Sequence, residues 1–196
     1  MYPTAPSTLT VGGVDFMLER LTPNSSSSAV IQPVLEKRVA TLDTSIFGAT
    51  TVYTLISTAY GSNGNISGYL DFIGDKGARH RYTLTQGVNL RDHLVGGLGN
   101  QGVTDPTIVT ATFTNGASTV RLDRQTIILP TAFESQTLKQ VVYTWTSSSY
   151  FDGTPFLAGM TVEGSAVVPE PATLTVWLLG TGCLGFVTRR RAKRLL

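Results

Sequence analysis

The sequence predicts an all-β fold, an antiparallel β-sandwich, followed by one C-terminal transmembrane helix. Three observations carry this expectation. From about residue 40 to 164, short runs rich in β-branched and aromatic residues alternate with glycine-bearing turn clusters at about 8–12-residue intervals. No window before residue 172 sustains a helical period. Then 17 uncharged residues, Ala172 to Thr188, run directly into the basic block Arg189 to Arg194. The chain divides on this reading into N-terminal strands and a serine-rich loop that belong to the sandwich (1–39), the sandwich body (40–165), a linker (166–171), the helix (172–188) and a basic tail (189–196).

The elements follow in order. Residues 24–28, Asn-Ser-Ser-Ser-Ser, read as a flexible loop. Thr51 to Tyr60 is a strand ending at the turn cluster Gly61-Ser-Asn-Gly64, and Tyr69 to Ile73 is a shorter one ending at Gly74-Asp-Lys-Gly77. The next run alternates most cleanly: Ala78, His80, Tyr82 and Leu84 fall on one face, Arg79, Arg81 and Thr83 on the other. Charges confined to one face of a period-two pattern mean a sheet with one wet side. Thr107 to Phe113, Thr119 to Leu122, Gln125 to Leu129 and Leu138 to Trp145 continue the series, and Phe156 to Glu163 closes it. Pro130 to Thr137 has room for one helical turn.

Charge and cysteine content narrow the function. Ten basic groups face thirteen acidic ones before Ala172, a net of −3, while five basic residues crowd the last eight positions. The body therefore offers no positive field for a nucleic acid. Cys183, the sole cysteine, lies in the apolar run, which leaves the body without disulfides, cysteine zinc sites or cysteine nucleophiles.

Helical, the 17 apolar residues would span about 25 Å, the short end of a bilayer crossing. Trp177 sits near the outer end of that span. Arg189, Arg190, Arg191, Lys193 and Arg194 form a stop-transfer cluster that stays cytoplasmic and places the body outside. The order Val168-Pro169-Glu170-Pro171, short apolar helix, terminal arginines resembles the PEP-CTERM protein-sorting signal of bacterial exported proteins. The resemblance implies recognition by an exosortase, a membrane-embedded cysteine transpeptidase-like enzyme, with cleavage near Pro-Glu-Pro. Val168 to Pro171 are then substrate residues. Both prolines hold the motif extended, a shape a protease-like site can grip, and Glu170 adds a fixed negative charge. Met1-Tyr-Pro-Thr-Ala-Pro6 has neither a basic n-region nor an apolar h-region, so the expectation is a leader upstream of this start, with another export route as the alternative.

The body itself, through Val52 to Gly61, Gly87 to His93, Val120 to Asp123 and Pro155 to Ala158, looks like exported jelly-roll domains found with this signal. Related sandwiches include carbohydrate-binding modules. Among its tyrosines and tryptophans, Tyr60, Trp145 and Tyr150 are the expected glycan contacts, although aromatics at strand spacing more often fill a core.

Other chemistry is mostly declined. Gly97-Leu-Gly-Asn-Gln-Gly102 matches G-x-G-x-x-G, but Pro106 and strand-like flanks deny the helix that a dinucleotide site requires. A Ser62, His93, Asp123 hydrolase can be assembled only on paper, with no nucleophile elbow. Arg91 and Asp92 read instead as pairing with each other, or with Arg121 and Asp123, to hold a loop. Asp71 and Asp75 leave a structural calcium open without a ligand set; no other metal and no cofactor is expected. The expected protein is therefore an exported, non-enzymatic β-sandwich. It is anchored by its tail, processed by an exosortase, and retained in the envelope or released to the exopolysaccharide matrix. The alternatives are a carbohydrate-binding module for a surface glycan and, behind it, a polysaccharide-acting hydrolase.

Overall fold

The structure, a computed structural model, describes residues 7–18, 39–146 and 152–165. Ten strands and one 3-10 turn lie among them. Strands β1 (Ser7–Val11) and β2 (Val14–Leu18) form a hairpin around Gly12 and Gly13, both at positive φ. β4 (Ala49–Ala59), β7 (Val109–Asn115), β8 (Ser118–Ile128) and β10 (Thr154–Gly164) make one sheet, in the order β10-β4-β8-β7. β3 (Val39–Phe47), β5 (Ile66–Gly74), β6 (Arg79–Thr85) and β9 (Thr137–Trp145) make the other, in the order β3-β9-β5-β6. All ladders among these strands are antiparallel.

The all-β, antiparallel expectation is met. The jelly-roll order is not what forms. A jelly roll, eight strands wound as two Greek keys, sets its first strand beside its last, whereas here β3 pairs with β9 and β10 with β4. The helix expected over 172–188 lies outside the described residues; among the described residues no helix is long and apolar enough to cross a membrane.

One core cluster draws from both large sheets. Val52, Ile56, Ile127 and Leu157 come from the first, and Leu70, Phe72, Leu84, Val141 and Tyr143 from the second. Removing such side chains from water contributes about 1.5–3 kcal/mol each. Tyr143 also crosses between the sheets with its hydroxyl, which donates to Pro155 O at 2.7 Å. A second cluster lies on the other side of the β4-containing sheet, where Phe16, Val11 and Leu18 of the hairpin cover Leu55, Leu122 and Phe156. Strand β4 is consequently buried on both faces, which is why its run shows no alternation. The wet side foreseen from the β6 alternation is the outer face of the β3-β9-β5-β6 sheet: Arg79 and Arg81 are exposed while Leu84 is fully buried.

Two expected strands, Thr119 to Leu122 and Gln125 to Leu129, are one continuous β8. Asp123 and Arg124 read as an interruption in sequence, but each finds a partner in place: Arg91 for Asp123, and Gly12 O together with the Tyr53 ring for Arg124. The helical turn foreseen after Pro130 is Thr131–Phe133, with Phe133 buried in the core.

Candidate functional site

Arg91, Asp92, His93, Arg121 and Asp123 converge on the connection from β6 to β7, residues 86–108. This segment is built into the sheet. β4 and β8 pair from Thr51↔Ile128 as far as Ile56↔Asp123, and beyond that point Asp92 to Val95 fill the space between them. His93 N donates to Thr58 O of β4 at 2.7 Å, while Arg121 N of β8 donates to His93 O at 2.8 Å. Backbone groups left over by the diverging strands are thus satisfied by the inserted segment.

Side chains lock it. Arg91 grips Asp123 with Nε to Oδ2 at 2.7 Å and Nη2 to Oδ1 at 2.8 Å, a bidentate pair. Arg121 is buried, donating from Nε to Asp92 O at 2.8 Å and from Nη2 to Gln101 Oε1 at 2.7 Å. Burial pulls its pKa below the ordinary arginine value, and the Arg91 charge pulls the same way; Asp123 and Asp92 act against both. Asp92 accepts from the backbone N–H of Leu94 and of Gly99 at 3.1 Å each. His93 Nδ1 lies 2.9 Å from Thr58 O and 3.2 Å from Asp92 Oδ1, its ring edge-on to Phe156. The arrangement is a clamp. Of the two pairings left open for Arg91, the one with Asp123 forms. Asp123 is held by Arg91 and Thr110, and His93 by Asp92 and Thr58, so the paper triad with Ser62 is not assembled.

The Gly97 to Gly102 stretch lies wholly in this connection, with no helix after it. Gln101 ties it together, sending Nε2 to Leu94 O, Gly97 O and Gly99 O within 3.1–3.2 Å. A Cβ on Gly99 would stand 2.6 Å from Asp92 Oδ2 and 2.7 Å from Tyr60 Cα. The glycine thus serves close packing of the clamp, where a nucleotide loop would keep that space for phosphate.

A second polar arrangement occupies the outer face of the other sheet. Pairing registers place Asp71 between Val142 and Arg81, and Ile73 between Gln140 and Arg79. Arg81 forms a fork with Asp71, Nε to Oδ1 at 2.7 Å and Nη2 to Oδ2 at 2.9 Å, and its guanidinium lies 4.5 Å from the centre of the Tyr69 ring. The hydrogen bond and charge of Asp71 raise the Arg81 pKa. Asp71, Ile73, Arg79 and Arg81, with Phe72, His80 and Val142, line a cavity of about 360 Å³. His80 stacks on Phe72 at 6.1 Å, in keeping with its place on the apolar side. Asp71 is engaged by Arg81, and Asp75 accepts from Thr137 N. No group of three His, Cys, Asp or Glu side chains suited to a metal occurs among the described residues.

The expected glycan contacts fare differently. Trp145 is 3% exposed, so its ring has no open face for a sugar; strand alternation turns it inward with Val141 and Tyr143. Tyr60 is half-buried in a left-handed conformation, φ 62°. Tyr150 lies outside the described residues, as do Val168, Pro169, Glu170, Pro171 and the cluster Arg189, Arg190, Arg191, Lys193 and Arg194. Tyr69 with Arg81 is the aromatic arrangement that sequence reasoning did not single out. Its signal was available in the β6 alternation, which puts Arg81 on the wet face.

Comparison with known proteins places the functional mark in the tail. Residues 167–191 match the family model described as the PEP-CTERM protein-sorting motif. No curated protein and no solved structure matches the chain. The matched segment contains the Pro-Glu-Pro run, the apolar stretch and the first three arginines of the terminal block. The chain therefore carries a PEP-CTERM protein-sorting motif, the mark of an exported protein that an exosortase processes.

Proposed function

We propose that the protein is a non-enzymatic envelope or matrix component: an exported β-sandwich held in the membrane by its tail, freed from the basic anchor by an exosortase, and associated with extracellular polysaccharide. The observation that carries this reading is the sorting motif at residues 167–191. In it Val168 to Pro171 are the segment presented to the exosortase, 172–188 the membrane helix, and Arg189 to Arg194 the cytoplasmic stop. The structural use of Arg91, Asp92, His93, Arg121 and Asp123 supports the non-enzymatic part, because each is engaged in holding the β6–β7 connection. Mass spectrometry of the protein recovered from the envelope and medium of an exosortase-bearing bacterium tests it. A mature species lacking the arginine cluster is expected; uncleaved protein retained in the cytoplasm would refute it.

A second reading, a carbohydrate-binding module, is favoured by the polar outer face of the β3-β9-β5-β6 sheet. Its open cavity and its ring-stacked, forked arginine are the features such a surface uses. Retention of the protein on immobilised polysaccharide would support it, and passage through every polysaccharide matrix would remove it.

A further inference from the structure

The charges lining the cavity are unequal, and the other carboxylate on that face, Asp43, is held by Gln140 outside the cavity. Arg81 is neutralised by Asp71, which takes its Nε and one Nη2 hydrogen, so the remaining donors of that guanidinium stay free. Arg79 is exposed and forms no ion pair among the described residues. Both arginines line the same cavity of about 360 Å³, whose apolar lining includes Ile73 and Val142, near the low end of the roughly 300–1,000 Å³ range of ligand pockets. The mouth thus carries one uncompensated positive charge, one polarised fork with spare donors, and one carboxylate acceptor.

We propose that this face binds an acidic polysaccharide, one bearing carboxylates on its sugars, and that Arg79 is the residue that reads the carboxylate. The proposal rests on the carbohydrate-binding reading above and gives it a site and a ligand class. A guanidinium presents paired donors that match a carboxylate, and Arg79 has such a fork unused. Sugar hydroxyls suit the rest: Arg81 and Asp71 offer a donor and an acceptor, with Thr83, Thr144 and Gln140 at neighbouring outward register positions. An extended peptide would pair along the backbone of the edge strand β6, whereas this cavity opens on the sheet face with charged side chains around it. The body is acidic elsewhere, and at physiological salt that repulsion is screened beyond about 8 Å, so binding is confined to the arginine face.

The test uses the full-length chain with Arg189, Arg190, Arg191, Lys193 and Arg194 replaced by glutamine, so that a polyanion meets the body alone. Electrophoretic retardation is measured in gels containing polygalacturonate or neutral dextran, for this protein and for its Arg79→Gln and Arg79→Lys variants. Retardation by polygalacturonate is expected, weakened roughly tenfold by Arg79→Gln, the scale of one charge-assisted contact, and largely kept by Arg79→Lys. Equal retardation of the Arg79→Gln variant would overturn the proposal, as would displacement by polyglutamate as effective as by free galacturonate oligomers. Retardation in dextran alone, indifferent to Arg79, would overturn the acidic ligand while leaving the carbohydrate-binding reading standing. No retardation in either gel would remove both.

Discussion

Arg91 reaches from the β6–β7 connection to Asp123 on β8, and the pair is almost sealed from water: the Asp123 side chain is 1% exposed and that of Arg91 16%. An ion pair in such a place adds little over an apolar filling, but breaking it leaves a buried charge alone. Asp123→Ala should therefore destabilise the body by about 3 kcal/mol. The urea midpoint would fall with an unchanged slope. A midpoint within experimental error of the parent would mean that the connection is not held by this pair.

Gly99 provides a second handle on the same segment. A methyl group there meets the Asp92 carboxylate and the backbone of Tyr60, and both are fixed by other bonds. Gly99→Ala should cost about 1–3 kcal/mol, the range for overpacking, and loosen amide protection over residues 92–101. Hydrogen exchange would show it, and unaltered protection across the segment would contradict the packing described.

Period-two patterning and turn residues made the strands legible, because both are local. β6 is the clearest case: its alternation gave both the buried Leu84 and the exposed Arg79 and Arg81. The insertion of Asp92 to Val95 between β4 and β8 left no such trace, since the pattern that requires it lies in strands distant in sequence. The same holds for β8, where Asp123 and Arg124 looked like a break until their partners were in place. Trp145 faces inward, which residue type alone does not reveal, because it does not say which face of β9 is wet. The tail motif was fully legible, because its three parts are adjacent in the chain.

Tyr143 gives a prediction with a pH signature. Burial drives its hydroxyl pKa well above the ordinary tyrosine value, and Tyr82 is likewise pushed up to about 12, chiefly by burial. Unfolded tyrosines ionise near pH 10, so the unfolded state loses protons there while the folded state keeps them. Stability is full below about pH 10 and falls above it, by up to about 1.4 kcal/mol per pH unit for each such tyrosine. Tyr143→Phe should lose about 1–2 kcal/mol at neutral pH, because Pro155 O is left without its donor, and should show a shallower alkaline decline. Denaturant unfolding between pH 8 and 11.5 measures both, and an alkaline slope equal to the parent's would contradict the burial of this hydroxyl.

In the proposed function, residues 168–171 direct processing of the tail. Pro169, Glu170 and Pro171 are replaced together by alanine, and the mass of the protein is determined in cells that carry an exosortase. An uncleaved, membrane-associated chain that keeps Arg189 to Arg194 is expected, beside a parent that has lost them. Normal removal of the tail from the variant would contradict it.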